Sequence, residues 1–276
     1  MASDPKSQPG GQPKLTPRQL AAQARAEQEA ALRRRDRMLR TIGALLVLAL
    51  VGGVIAIGYY TGRARDEAAA GPTPNPSAAL PAGVRADTFG VPYGTGWTGT
   101  DADKLPTLEI WEDFQCPACA AVEAAVGDQI KKLGEDGLVK LLFRPTIFID
   151  RSYPNSLNAS ARATNAWGCA IDAGKASEYH SGVFSIQPAT EGDGWTDQQL
   201  LDLAATVGIE GDELTTFNQC VADGTYMGWA ANSGQKFADS GARGTPTAFL
   251  DGAELGSGDL VDIEGLKKKI AAATKE

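Results

Sequence analysis

The sequence predicts an α/β fold in which a block of helices is inserted between two strand-containing parts. Apolar and polar residues alternate over 107–114 (TLEIWEDF), which is typical of a half-buried strand. A short apolar run at 138–143 (LVKLLF) indicates a buried second strand, and a helical pattern separates the two. Such a strand, helix and strand are expected to form a right-handed βαβ unit. Helical spacing then continues over 155–241 without a clear strand.

The elements around this unit are predicted from composition and spacing. Residues 88–99 (TFGVPYGTGWTG) combine glycines with aromatic residues and predict a peripheral strand or hairpin. The helix of the βαβ unit is predicted over 117–133, and Pro117 suits its first turn because the N–H that proline lacks would have no partner there. In the block that follows, alanine-rich segments broken by glycines predict five helices. Their ranges are 157–173, 175–185, 197–207, 212–222 and 225–239.

The end of the chain is predicted to form a hairpin and a helix. Residues 247–250 (TAFL) indicate a short strand, the Asp-Gly pair at 251–252 a turn, and a second strand is expected near 254–255. The last helix is predicted over 260–273, with Asp259 as its N-cap.

Charge and hydropathy divide the chain at one apolar segment. The net charge of −8 is uneven: residues 1–40 hold nine Lys or Arg against four Asp or Glu, and residues 61–276 hold seventeen against thirty. Between them, residues 42–60 would form a helix of about 28 Å, close to the roughly 30 Å hydrocarbon core of a bilayer. The sequence predicts a transmembrane helix at 41–62 with a cytoplasmic N-terminus, because arginines crowd that side. A cleavable signal peptide with its cleavage site at the alanines 68–70 is the alternative.

The regions on either side of this span contain no catalytic or ligand-binding motif. Residues 1–40 are predicted to be a basic cytoplasmic tail, partly disordered, with a solvated or protein-binding helix from about residue 17. Residues 63–87 are rich in proline and alanine and predict a tether between membrane and folded domain. The acidic remainder has no basic face that could neutralise phosphates, which excludes nucleic acid as its partner.

The chemistry of the sequence lies in a C-x-x-C motif, Cys116-Pro117-Ala118-Cys119, directly after a strand and at the start of a helix. A thiol at a helix N-terminus faces unpaired N–H groups and the positive end of the dipole, which lower its pKa. We therefore expect Cys116 to be a water-facing nucleophile and Cys119, one turn further on, to be the resolving thiol. Half of a zinc site and an inert disulfide are the other interpretations.

Two more cysteines and the only histidine lie in the helical block. Cys169 and Cys220 are expected to form a structural disulfide, worth about 4 kcal/mol in the chain-entropy model. A second redox pair and free thiols are the alternatives. His180 is expected to be a surface residue or a hydrogen-bonded core residue. A zinc site would need these residues as ligands, but their spacing is not that of a zinc knuckle, so no metal is predicted.

Taken together, these motifs resemble a known family. A strand followed by F-x-C-P-x-C and a helix (114–119), an inserted helical domain, and Gly-Thr-Pro (244–246) before a hairpin and helix are similar to the membrane-anchored DsbA-like thiol:disulfide oxidoreductases. The resemblance implies a thioredoxin fold with an inserted α-helical domain, preceded by a single transmembrane helix. The thioredoxin-like domain would then comprise 88–154 and 242–276, with the helical insertion at 155–241.

The resemblance also implies roles for individual residues. In this family the first cysteine attacks and the second resolves, which corresponds to Cys116 and Cys119. The proline beside the disulfide is cis in the family, which corresponds to Pro246. The backbone of Thr245 would then hydrogen-bond an extended substrate peptide.

Two departures from the family pattern affect the expected chemistry. Some relatives have a buried acid six residues before the first cysteine, and this position is Ile110 here. Glu112 and Asp113 are the available substitutes for proton transfer, and Asp113 is slightly preferred. The dipeptide between the cysteines, 117–118, lacks the histidine of strongly oxidising members, so a weaker oxidant is expected.

The resemblance implies a bacterial enzyme outside the plasma membrane that introduces disulfides into unfolded exported proteins with free thiols, without a cofactor. It also implies a quinone-linked membrane partner, either DsbB-like or vitamin K epoxide reductase-like, that reoxidises the pair. A monomer is expected because the linker has no heptad pattern. A reductase or isomerase on the same fold is the alternative function, and a non-enzymatic peptide-binding holdase is a further one.

Overall fold

A computed structural model of the chain describes residues 71–275 and ten residues before them. These ten are Arg18, Arg25, Arg33, Arg34, Arg35, Met38, Leu50, Gly52, Gly53 and Ile57. The chain divides into two compact units, Met1–Arg63 and Ala64–Glu276. Apart from the ten residues, the predicted tail at 1–40 and the predicted span at 41–62 lie outside the described residues. Within the part that the structure describes, no helix is both long and apolar enough to cross a membrane.

A mixed five-stranded sheet is the framework of the second unit. Its strands are β1 (Val91–Tyr93), β2 (Thr107–Glu112), β3 (Lys140–Pro145), β4 (Thr247–Leu250) and β5 (Ala253–Glu254). They lie in the order β1-β3-β2-β4-β5. The central strands β2 and β3 are parallel, and the other neighbours are antiparallel. A 3₁₀ turn at Thr95–Trp97 follows β1.

The helices occur where helical spacing predicts them. They are α1 (Pro117–Glu135), α2 (Ala159–Asp172), α3 (Ala176–Ser185), α4 (Asp197–Thr206), α5 (Gly211–Ala222), α6 (Met227–Asp239) and α7 (Ile263–Ala273). The order is therefore βαβ, a block of five helices, and ββα, preceded by the edge strand β1. This architecture confirms the predicted α/β class with a helical insertion.

Both faces of the sheet are covered by helices. On one face, α1 approaches so closely that a side chain on Gly134 would collide with the Tyr93 carbonyl and the Leu141 side chain. On the other face, the Trp111 ring contacts the Phe237 ring of α6, with 5.4 Å between their centroids. The carboxyl end of β2 and the first turn of α1 are thus held between two packed layers.

The insertion is organised around α2, which packs against α3, α4, α5 and α6. The N-terminus of α2 is capped from outside the helix, because the carboxylate of Asp150 accepts hydrogen bonds from the N–H groups of Ser160 (2.9 Å) and Ala161 (3.0 Å). Cys169 of α2 and Cys220 of α5 form a disulfide, as expected.

The predicted tether differs from the structure. The backbone of Asn75 is hydrogen-bonded in both directions to the side-chain amide of Asn232, at 2.7 Å each, and Ala82 N–H donates to Asp172 at 2.8 Å. Residues 75–82 therefore lie against the helical insertion, and the folded part begins before residue 88. Composition alone could not show this, because the partners lie about 90 to 157 residues further along the chain.

Two predicted boundaries are also corrected. The last helix begins at Ile263 rather than at 260, because the Asp262 side chain caps it by accepting from Gly265 N–H. Asp259, the predicted cap, accepts from Gly256 N–H instead. The second central strand begins at Lys140 rather than at 138, where its pairing with Thr107 starts.

Candidate redox site

The two cysteines of the motif occupy the junction of β2 and α1. Cys116 is the residue before the helix, its N–H donates to the Asp113 carbonyl at 2.9 Å, and Pro117 is the first helical residue. The Cys116 carbonyl accepts a hydrogen bond from Ala120 N–H at 3.1 Å, so the helix starts directly at the motif. Both thiols are free in the structure.

The surroundings of Cys116 favour its thiolate. The Cys119 thiol has the largest effect, and together with the side chain of Thr245 and the N–H groups of Ala118 and Cys119 it lowers the pKa of Cys116 to about 6. Burial works in the opposite direction. The predicted effect of the helix start is therefore present, but the second cysteine of the motif contributes more.

Cys116 is more covered than the sequence led us to expect. The residue is only 7% exposed, whereas Pro117 and Ala118 are exposed. The loop before β4 lies against it, and its sulfur donates a hydrogen bond to the Thr245 carbonyl at 3.2 Å. The expected water-facing thiol is thus corrected to one that is largely covered by the Thr245–Pro246 loop.

The structure places the predicted loop residues at the sulfur. The Thr245–Pro246 peptide bond is cis, as the resemblance implies. The carbonyl of Thr245 points to Cys116 and not outward. The Thr245 hydroxyl is buried and makes no hydrogen bond to the described residues while Cys116 is a thiol, so it is free to stabilise the thiolate, and it is among the groups that lower the pKa of Cys116.

Cys119 lies in the opposite environment. The residue is 3% exposed, and burial, the neighbouring Cys116 and the charge of Glu112 raise its pKa well above the usual range. One thiol of the pair is therefore ionised near neutral pH while the other stays protonated. The predicted roles of attacking and resolving cysteine require such a difference, and the roles themselves stay a prediction.

The two candidate acids face different parts of the protein. The fully buried carboxylate of Asp113 accepts from Gln115 N–H and Ile149 N–H, both at 3.0 Å, and from the Ser160 hydroxyl at 2.5 Å. Burial raises its pKa to about 7. These contacts direct Asp113 toward the helical insertion.

Glu112, on the other side of the strand end, is the acid whose charge acts on Cys119. It is buried, 7% exposed, and its Oε1 contacts Nε2 of His180. The charge effect on Cys119 favours Glu112 over the slightly preferred Asp113, and the choice between the two acids stays a prediction.

Two residues beside the motif were not found from the sequence. His180 is expected to lie at the surface or in the core, and it lies in the core, but at the end of β2 under the motif. Gln187, just after α3, donates from its amide to the carbonyls of Phe114 (2.6 Å) and Cys116 (3.1 Å). The only signal for His180 is its helical spacing with the apolar residues Val183 and Phe184, which marks a buried face.

The residues weighed as zinc ligands have other partners. Cys169 and Cys220 are bonded to each other, and His180 contacts Glu112. Over the described ranges, no group of three or more His, Cys, Asp or Glu side chains is placed to hold a metal ion.

Comparison with known proteins places this geometry in a family. A thioredoxin family model matches residues 97–272. No curated protein is significantly similar in sequence. Solved structures share the fold, among them MdbA of Actinomyces oris, a thiol-disulfide oxidoreductase, with 20% identity and a TM-score of 0.58 over 74% of this chain and 98% of that one.

Two further structures show the same fold. The oxidised DsbA of Mycobacterium tuberculosis is 24% identical, with a TM-score of 0.54 over 67% of this chain and 94% of its own. BdbD of Bacillus subtilis is 18% identical, with a TM-score of 0.55 over 74% and 98%. The chain therefore belongs to the thioredoxin family and shares its fold with DsbA-like thiol-disulfide oxidoreductases.

Proposed function

We propose that this chain is an extracytoplasmic thiol:disulfide oxidoreductase that introduces disulfides into exported proteins through Cys116 and Cys119. The observation that carries the proposal is the contrast between the two thiols. The pKa of Cys116 is lowered to about 6 and that of Cys119 is raised. A stabilised thiolate favours the reduced pair, and a pair that prefers to be reduced is an oxidant toward its substrates.

The reaction proceeds by two thiol exchanges. A substrate thiolate attacks the Cys116 sulfur of the oxidised pair, the bond between the two cysteine sulfurs breaks, and Cys119 leaves and takes up a proton. A second substrate thiolate then attacks the substrate sulfur of the mixed disulfide, and Cys116 leaves as a stable thiolate. The substrate loses two electrons and the cysteine pair gains them.

The covered position of Cys116 defines how a substrate approaches. An extended segment would lie along the Thr245–Pro246 loop and the exposed Pro117–Ala118 turn. Folded surfaces would not reach a residue that is 7% exposed. We therefore infer that unfolded proteins with free thiols are the substrates.

Location and partner follow from the sequence. The predicted transmembrane helix at 41–62 and the arginines before it support a single-span protein with its redox domain outside the plasma membrane.

Each catalytic cycle leaves Cys116 and Cys119 reduced, so an electron acceptor is required. A DsbB-like or vitamin K epoxide reductase-like membrane protein would fulfil this role.

A direct assay tests the proposal. The oxidised full-length protein is mixed with a reduced, unfolded protein that contains two cysteines, and loss of thiols is followed by alkylation and mass analysis. We expect oxidation by the wild type and none by Cys116→Ser. In a separate reaction with the oxidised form of the same substrate, the Cys116 thiolate of Cys119→Ala should attack the substrate disulfide, release one substrate thiolate and accumulate as a mixed disulfide. No loss of substrate thiols with the wild type would contradict the proposal.

The redox potential distinguishes an oxidase from the alternative reductase on the same fold. The absence of a cation at Pro117–Ala118 favours a weaker oxidant and therefore this alternative. An oxidase should equilibrate with glutathione at a potential above about −200 mV, whereas about −270 mV would indicate a thioredoxin-like reductase.

A further inference from the structure

A buried group of charges lies under the cysteine pair and is not used by the exchange described above. Its centre is His180 of α3, which is 1% exposed. Aromatic rings surround the imidazole, with centroid distances between 4.9 and 5.6 Å. These rings belong to Phe114, Phe143, Trp167 and Phe184. The apolar surroundings leave His180 few polar contacts, so those it has are informative.

The two ring nitrogens of His180 face two carboxylates. Nε2 contacts Oε1 of Glu112 at the end of β2. Nδ1 has no hydrogen-bond partner in the described part of the chain and lies 3.7 Å from Oε1 of Glu123 in α1. A small movement of either side chain would make the second hydrogen bond. The imidazole thus lies between two acids that come from different elements.

Glu123 connects this pair with the protein surface. Its Oε1 accepts from Ser181 Oγ at 2.7 Å and contacts Nζ of Lys131, and its side chain is 12% exposed. Two carboxylates therefore face one lysine and one imidazole, and the group is neutral when His180 is protonated. Burial opposes that proton, but Glu112 and Glu123 outweigh burial and raise the pKa of His180 to about 9.

Such a group is costly to bury, because charged side chains lose their hydration and isolated pairs rarely repay it. The charge of Glu112 acts on Cys119, which is buried and must gain or lose a proton in every exchange. Among the described residues, the ionisable groups whose charges act on His180 are Glu112 from β2 and Glu123 from α1. Both ends of a path from Cys119 to the surface are therefore present.

We propose that His180 carries protons between Glu112, whose charge acts on Cys119, and the partly exposed Glu123, so that the helical insertion provides the path for the proton of the resolving thiol. When Cys119 leaves as a thiolate, protonated His180 passes its proton to the Glu112 carboxylate, Glu112 passes it on to Cys119, and His180 regains a proton from solvent by way of the Glu123 carboxylate. When the pair is reoxidised, the same transfers run outward. His180 is a positioning residue here, because it acts on Cys119 through Glu112.

This proposal rests on the exchange mechanism of the proposed function, and its test does not require a protein substrate. The oxidised full-length protein is reduced by excess dithiothreitol at several pH values, and the reaction is quenched with acid and quantified by mass. His180→Gln should slow reduction about 100-fold near pH 7, the lower range for a positioned acid or base. After correction for the dithiothreitol thiolate, the wild-type rate should fall above about pH 9, where His180 loses its proton, and the variant should not show this fall.

Controls separate proton transfer from loss of structure. Glu123→Gln removes the outer carboxylate of the path, together with the charge that faces Lys131, and should slow reduction as well. Asp128→Asn, at an exposed carboxylate on the same helix, should not. In the Cys119→Ala background, His180→Gln should leave the alkylation rate of Cys116 unchanged, because that thiolate does not depend on His180. If His180→Gln is too unstable to assay, Glu123→Gln against Asp128→Asn decides.

A His180→Gln or Glu123→Gln protein with the wild-type pH profile would overturn the proposal, and so would an equal slowing at every pH. The outcome is separate from that of the proposed function. A wild type that exchanges with dithiothreitol but oxidises no protein would contradict the function, and its pH profile would still decide on His180.

Discussion

At the scale of single residues, the site depends on groups that distinguish two thiols three positions apart. Polar contacts from the Cys119 thiol and from the loop at Thr245 lower the pKa of Cys116. Burial and the charge of Glu112 raise the pKa of Cys119. The motif itself could be predicted from the sequence, because strand, C-x-x-C and helix are adjacent. The neighbours could not, since Thr245 and Gln187 come from loops 129 and 71 residues away from Cys116.

The Thr245 hydroxyl is expected to support the Cys116 thiolate. Thr245→Val keeps the shape of the side chain and removes the hydroxyl, so the pKa of Cys116 should rise from about 6 toward its ordinary value. Thiolate absorbance at 240 nm against pH measures this in the reduced protein. Thr247→Val, whose hydroxyl bonds to the Gly244 carbonyl at 2.7 Å, is the matched control. An unchanged titration in Thr245→Val would show that the hydroxyl does not act on the sulfur.

Gln187 is expected to hold the backbone of the motif. Gln187→Leu would remove the amide donor of the Phe114 and Cys116 carbonyls, although the Cys116 carbonyl would keep its bond from Ala120 N–H. The loss should cost about 1–3 kcal/mol of unfolding free energy. Urea denaturation measures the loss. Gln198→Leu, on an exposed helix face, should change stability by less than about 0.5 kcal/mol. Equal stabilities of the two variants would argue against this role.

At the scale of elements, local patterns predict existence and type, and partners decide where an element begins. Helical spacing and alternation are properties of neighbouring residues, so all five inserted helices and the strand from Thr107 agree with prediction. The start of β3 depends on its pairing with Thr107. The start of α7 depends on which of two aspartates, Asp259 or Asp262, caps the helix. Neither is encoded in the periodicity of the element itself.

The cap of α2 joins the insertion to the redox site. Asp150 accepts from Ser160 N–H and Ala161 N–H and also from the side-chain amide of Gln115, next to Cys116. Asp150→Ala would leave these donors without a partner, and we expect a loss of about 2–3 kcal/mol in unfolding free energy. Denaturation by urea, compared with Asp193→Ala at an exposed position, provides the measurement. Wild-type stability of Asp150→Ala would show that the cap is dispensable.

At the scale of the whole molecule, the disulfide between Cys169 and Cys220 closes a loop of 51 residues and joins α2 to α5. Replacing both cysteines by alanine removes this constraint from the unfolded chain and should cost about 4 kcal/mol. The measurement is chemical denaturation of the oxidised protein. Oxidation of a substrate should continue in this variant under native conditions, and its loss there would support the alternative of a second redox pair.

The site as a whole joins β2, α1, α3 and the loop before β4, and the sequence alone could not show this assembly. Each contributing segment has an ordinary local pattern, and only the long-range packing brings Glu112, His180 and Glu123 together. The docked segment at 75–82 is a second case, since its composition is that of a linker. The sequence-based predictions therefore failed where long-range contacts decide the outcome, namely at the surroundings of the cysteine pair and at the start of the folded domain.

The buried charges also predict how stability depends on pH. His180 has a folded pKa of about 9 against an ordinary 6.5, so its contribution is complete below about pH 6.5 and is lost as pH rises through 9. Cys116, with a lowered pKa of about 6, contributes in the opposite direction over the same range in the reduced protein. In the oxidised protein the contribution of Cys116 is absent, because disulfide-bonded cysteines do not titrate.

We therefore expect the unfolding free energy of the oxidised protein to fall between about pH 6.5 and 9. Up to about pH 7 the raised pKa of Asp113 contributes to the fall in wild type and His180→Gln alike, and above about pH 7 the fall should be absent in His180→Gln. The unfolding free energy of the reduced protein should fall less steeply with pH than that of the oxidised protein, because ionisation of Cys116 stabilises the folded reduced state as pH rises. Denaturation curves at four or five pH values in this window, for both redox states, provide the measurement. Parallel curves for wild type and His180→Gln would mean that His180 is neutral when buried, and the charge balance described for its two carboxylates would then be wrong.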